Sequence, residues 1–145
     1  MSKLIAARSA QYPLVAEFVF NFDDTMVDIN GALKDFKTVG STVVDAINLP
    51  TGAIVTGGEV VTETAVGGST AYNVSVGDSG GATRYLSATD RVAAGRTPLV
   101  PSGYVGNGEQ IRVTVAPTVA AATAGKVTVR VQYIVRNRIN ETQTH

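Results

Sequence analysis

Gly77-Asp78-Ser79-Gly80-Gly81 is the one string in this sequence that looks equipped for covalent chemistry. The same five residues surround the nucleophile in a class of serine proteases. There the glycines let backbone N–H groups close on a developing oxyanion, and the serine gives its proton to a histidine held by a buried acid. This chain has a single histidine, His145, and none precedes Ser79. In that protease class the histidine comes before the serine, on a separate barrel, and the 76 residues ahead of Gly77 are too few to build it. A lysine base is the remaining route to an activated Ser79. Gly, Ser and Asp clustered between strands are also ordinary turn chemistry, which is the simpler account. No residue is assigned a catalytic role.

The other chemistry-bearing residues are equally sparse. Asp24, Asp28 and Asn30 could contribute to a weak calcium site, but calcium loops take more oxygen ligands at set spacing and a turn glycine. Turn and edge-strand roles suit these residues better. Glu59 and Glu63 could pair on one strand, yet glycoside chemistry needs carboxyls converging across a cleft, and an exposed face is the plainer reading. Gly103 to Gly108 (GYVGNG) is followed by no Lys-Ser/Thr, so it reads as a turn rather than a phosphate loop. Arg136, Asn137 and Arg138 form a small basic cluster. With Lys126 and Arg130 they could contact an acidic partner, or be a solvated strand end. Tyr12, near the N-terminus, is a further candidate contact. Nothing calls for a metal or a cofactor.

Composition narrows the class. The chain has 145 residues, which suits one domain. Hydrophobic residues make up 44%, which argues against disorder. Charged residues are 17%, below the usual share of about 25%, as fits a surface partly covered by partners. The formal net charge is zero, so a nucleic-acid partner is not expected. Trp is absent and aromatics are few, which disfavours a platform for stacking sugars or single strands. Without cysteine there is no disulfide and no thiolate metal site, which suits a reducing cytosol. No apolar run approaches the roughly 18–20 residues of a membrane span. The apolar patch in MSKLIAARSA is shorter than the roughly 7–15 residues of a secretory signal. Neither membrane insertion nor export is expected.

The elements that would position these residues are strands. Residues 14–22 (LVAEFVFNF) read as one, followed by a turn at Asp23-Asp24 and a short strand at 25–29 closed by Asn30-Gly31. Residues 36–47 read as a strand interrupted by a glycine. In 53–66 the inward parity changes around Gly57-Gly58, which predicts a bulge or bend there. Residues 71–76 place Tyr72, Val74 and Val76 on one face. Residues 77–82 read as a loop, and 83–100 as irregular with a short strand at Tyr85-Leu86. Ile111, Val113 and Val115 face inward. Residues 116–125 read as a long hairpin loop or one helical turn. In 126–135 the residues Val127, Val129, Val131, Tyr133 and Val135 line one face, with Lys126, Thr128, Arg130 and Gln132 on the other. Some seven or eight short strands without intervening helices predict an all-β, antiparallel β-sandwich or barrel.

Three phrases carry a family resemblance: LPTGAIVTGGEVVTETAVGG, VGDSGGATRYLSATDRVAAGRTPL and AGKVTVRVQYIVRNR. Together they make residues 45–138 resemble small capsid decoration, or cement, proteins of tailed bacteriophages. The resemblance implies a jelly-roll-like sandwich that binds the outer capsid surface as a dimer or trimer and braces contacts between major capsid subunits. It implies synthesis in the host cytoplasm and residence in the virion. Residues 1–13 lack a clear period, end in Tyr12-Pro13 and read as an extended N-terminal arm, ahead of a sandwich (14–138) and a flexible C-terminal tail (139–145). The resemblance marks no contact residues. The competing readings are a tail, collar or head-fibre component and a carbohydrate-binding module.

Overall fold

Alternating β-branched residues favour a pleated, half-buried surface. The computed structural model describes residues 13–136. They form β1 (Leu14–Asn21), β2 (Thr25–Val27), β3 (Leu33–Asp35), β4 (Thr42–Ile47), β5 (Thr51–Gly67), β6 (Ala71–Asp78), β7 (Gly81–Asp90), β8 (Gly95–Pro98), β9 (Val105–Asn107), β10 (Ile111–Thr118) and β11 (Ala124–Val135). No helix occurs among the described residues. The all-β, antiparallel expectation holds.

One sheet has the order β1-β11-β5-β8, with β9 also paired to β5. The facing sheet has the order β4-β10-β6-β7. The chain changes sheet between β4 and β5, β5 and β6, β7 and β8, β9 and β10, and β10 and β11, which is jelly-roll connectivity. Each sheet contributes one row of inward valines. Val60, Val127, Val129 and Val131 come from the first; Val44, Val74, Val76, Val113 and Val115 come from the second. β2 and β3 pair only with each other, and their turn is tied to β4 by the Ile29 N–H donating to the Val43 carbonyl (3.0 Å).

The parity change in β5 has a visible cause. Val55 faces Tyr133 and Gly57 faces Gln132, so Thr56 is bulged out of the ladder. Inward positions are Ala53 and Val55 before it, Val60 and Thr62 after it. A Cβ on Gly58 would lie 2.2 Å from the Arg130 carbonyl oxygen, and its φ is +139°, so only glycine passes here.

Three sequence expectations need correction. Only residues 42–47 of the 36–47 segment pair as a strand. The Asp35 carboxylate accepts from the Lys37 and Thr38 N–H groups (3.2 and 2.8 Å), and this local bonding competes with a ladder. Residues 77–82 are not a loop: Asp78 pairs with Gly81 across a two-residue turn, Ser79-Gly80. The stretch called irregular contains β7 and β8. Register shifts along β6–β7 hid it, because they put Tyr85 and the adjacent Leu86 both in the interior. Thr128 keeps its expected place on the outward face and is buried there, its hydroxyl donating to Glu63 Oε1 (2.7 Å). Of the two readings of 116–125, the hairpin is the one realised. β10 runs on through Pro117, which lies beyond the β4 pairing and so needs no N–H for that neighbour.

Candidate interaction surface

The GDSGG string is structural in its local bonding. Asp78 is buried, and its Oδ1 accepts from the Gly80 and Gly81 N–H groups (both 2.9 Å). Its Oδ2 accepts from Arg84 Nε (2.8 Å). A Cβ on Gly77 would sit 2.0 Å from the Gly81 carbonyl oxygen, so that glycine is required by close backbone approach. Ser79 is exposed at the turn. His145 lies outside the described residues.

Asp24 and Asp28 are likewise turn residues. Asp24 Oδ2 accepts from the Asn21 N–H (2.8 Å), and Asp28 Oδ1 from the Asn30 and Ala32 N–H groups (2.9 and 3.0 Å). Among the described residues no group of three or more His, Cys, Asp or Glu could hold a metal ion. No helix among them is long and apolar enough to cross a membrane, which says nothing of strands.

Among the described residues the tyrosines do not form a stacking platform. Tyr72 and Tyr85 are buried, and burial raises both phenol pKa values, that of Tyr85 to about 12. Tyr104 is covered by the Arg84 guanidinium, 3.7 Å from the ring centroid. Tyr12 and Arg138 lie outside the described residues. Arg136 is exposed just after β11, its N–H donating to the Gly52 carbonyl (2.7 Å).

Lys126 and Arg130 do not join Arg136 in a free basic patch, because both are engaged. Register places Glu17, Arg130 and Glu59 side by side on β1, β11 and β5. Arg130 reaches Glu17 at 2.8 Å and Glu59 at 2.9 Å, Arg96 on β8 pairs with Glu59, and Lys126 meets Glu63 at 3.2 Å. Hydrogen bonds from Arg96 and then Arg130 hold the Glu59 pKa below the ordinary carboxylate range. Thr128 and then Lys126 do the same for Glu63. This face neutralises itself, and covering it with a partner would cost desolvation for little new attraction.

The opposite character appears along the β1 edge. Leu14, Val15 and Val19 on β1, Val27, Ile29 and Leu33 on the β2–β3 hairpin, and Val39 beyond it are all exposed. Only Val100 and Val119 complete the set of large exposed hydrophobics among the described residues. Val27 and Leu33 form a cross-strand pair at 55% and 70% exposure, although such pairs normally cover one another. Exposed large hydrophobics gathered on an edge strand and the hairpin beside it make this edge a candidate interaction surface. Between β1 and β2 lies a groove of about 330 Å³, lined by Phe18, Val19, Phe20, Met26 and Phe36 with Asp24 and Thr25. The three phenylalanine rings pack on one another, at 4.5 Å for Phe20–Phe36 and 5.5 Å for Phe18–Phe20.

Sequence reasoning missed this edge. The usable signal was Val15 and Val19, two apolar residues flanking Glu17 on the outward face of β1.

No protein-family model and no curated protein matches the chain. Solved structures do. One chain of the cyanophage Pam1 capsid asymmetric unit is 25% identical, with a TM-score of 0.60 over 92% of this chain and 94% of that one. A chain from the acidic stable capsid of Helicobacter pylori bacteriophage KHP30 is 18% identical, with a TM-score of 0.62 over 92% and 95%. A chain from the capsid of Ralstonia phage GP4 is 14% identical, with a TM-score of 0.58 over 95% and 93%. Over most of its length, therefore, this chain has the fold of chains found in phage capsids.

Proposed function

We propose that this protein is a structural component of a phage capsid, and specifically a decoration protein that binds the outer shell and braces contacts between major capsid subunits. The observation that carries the reading is the two-way coverage of the capsid matches. Each spans more than nine-tenths of both chains, so the likeness is to a whole small capsid chain rather than to one domain of a larger subunit. The exposed apolar residues of β1 and the β2–β3 hairpin support a protein with part of its surface covered by a partner. A protein that binds the assembled shell and not its free subunits stabilises the shell by mass action, and many copies on a symmetric lattice add avidity.

The test is to mix purified protein with mature shells that lack it, sediment them, and then heat them. Co-sedimentation at a fixed stoichiometry, with a raised disruption temperature, is the expected result. Failure to co-sediment with any capsid state overturns the reading. Recovery of the protein from isolated tails instead of heads would assign it to a tail or collar.

A further inference from the structure

We propose that the β7–β8 turn is a docking site for a carboxylate, in which Arg91 receives an Asp or Glu side chain of the protein this chain binds. Arg91 is the one buried arginine among the described residues, at 8% exposure. Arg84, Arg96, Arg112 and Arg130 each lie against a carboxylate, and Arg136 is exposed. Arg91 has no carboxylate within ion-pair distance among the described residues. The neighbouring Asp90 is spent on the N–H groups of Tyr72 and Val92 (both 3.0 Å).

The N–H donors of Arg91 are unmatched as well. A guanidinium carries five. Nη1 donates to the Thr97 hydroxyl, and Nη2 to the Ala93 carbonyl in a long bond of 3.4 Å. Nε is buried and has no acceptor. The backbone holds the residue in place: its N–H donates to the Tyr72 carbonyl (2.8 Å), and its carbonyl accepts from the Thr62 hydroxyl (2.8 Å). A buried lysine can give up its proton, but a guanidinium keeps its charge. The free chain therefore carries a desolvation cost that no ion pair offsets. An entering carboxylate supplies the missing charge, and its two oxygens match two N–H groups at once.

The turn beside the guanidinium is small and exposed, formed by Ala93, Ala94 and Gly95. A Cβ on Gly95 would stand 3.6 Å from Nη2, so the glycine leaves that nitrogen without a side chain against it on this side. The turn leads into β8, at the other end of the β1-β11-β5-β8 sheet from the apolar β1 edge. A protein that braces two neighbours needs contacts in two places. The proposal rests on the capsid reading only for the identity of the partner, a capsid subunit.

The free protein tests the site first. In NMR spectra, sodium acetate is expected to shift the Arg91 Nε–H signal, identified by its loss in Arg91→Met, beyond the effect of sodium chloride at equal ionic strength. A response no different from chloride overturns the carboxylate site. Arg91→Met is expected to keep or raise the melting temperature, because it removes an unmatched buried charge. A lower melting temperature would make the guanidinium a structural bolt of the turn and overturn the proposal. Shells that lack the protein supply the last measurement. Arg91→Met is expected to bind them about tenfold more weakly than the parent chain, or worse. Equal binding overturns the docking role. A parent chain that binds no shell overturns the capsid reading instead, and the acetate titration then decides the site by itself.

Discussion

The Tyr72 hydroxyl donates to the backbone carbonyl of Phe36 at 2.8 Å, inside the core, from a position 36 residues further along the chain. This bond fastens the bent segment after the β2–β3 hairpin to β6. It thereby holds the Phe36 ring against Phe18 and Phe20 at the base of the groove. Removing the hydroxyl leaves a buried carbonyl without its partner, which costs about 1–3 kcal/mol. Tyr72→Phe is therefore expected to lower unfolding stability by that amount in urea titrations with an unchanged m-value. A neutral result would mean that the segment is held by packing alone.

Ser79 and Asp78 are expected to separate cleanly. Ser79→Ala alters an exposed turn side chain and should change stability by less than about 0.5 kcal/mol. Asp78→Ala strips two backbone N–H groups and Arg84 of their acceptor and should cost about 2–3 kcal/mol. A fluorophosphonate probe is expected to label neither variant nor the parent chain. Labelling that disappears in Ser79→Ala would restore the hydrolase reading.

Stability should fall in acid. Glu59 and Glu63 both have lowered pKa values in the folded chain, through Arg96 and Arg130 for the first and Thr128 and Lys126 for the second. A carboxyl lowered on folding stabilises above its unfolded pKa, about 4.3, and loses that contribution as the pH drops through the folded value. Urea midpoints should be flat from about pH 7 to about pH 5 and decline below about pH 4. Glu59→Gln should cost no more than about 1 kcal/mol at neutral pH, since the pair is partly exposed, and should make the acid decline shallower. Parallel curves for the two proteins would show that this ion-pair row does not govern acid stability.

Val119 is a β-branched residue at φ +72°, and it is 80% exposed in the β10–β11 hairpin. Left-handed backbone is costly for valine and tolerated by asparagine. Val119→Asn should raise stability by about 1 kcal/mol, read as a higher melting temperature. A lower melting temperature would mean that the valine contributes packing that offsets its strain.

Much of this fold could be read from residue spacing because alternation on a strand is local. Val127, Val129 and Val131 are inward because each lies two residues from the next, and Ile111, Val113 and Val115 follow the same rule. The bulge near Gly57 was legible for the same reason, as a break in that rhythm. β7 was not, because its bulges bring Tyr85 and Leu86 inward together and destroy the period. Nor was the bond between Tyr72 and Phe36, since nothing near either residue announces the other.

Composition and alternation by themselves determined that this chain is all-β and which valines fill the core. The cysteine count ruled out disulfides, and the order of residues showed that Ser79 has no histidine upstream. Only the tertiary structure decided which charges are already satisfied and which apolar residues remain uncovered. Glu17, Glu59 and Arg130 lie far apart in the chain and meet through strand register. Val27 and Leu33 look like ordinary core residues until the sandwich closes without them. Strand pairing is long-range, so the free surface of a β-sandwich is defined only after its sheets have chosen their partners.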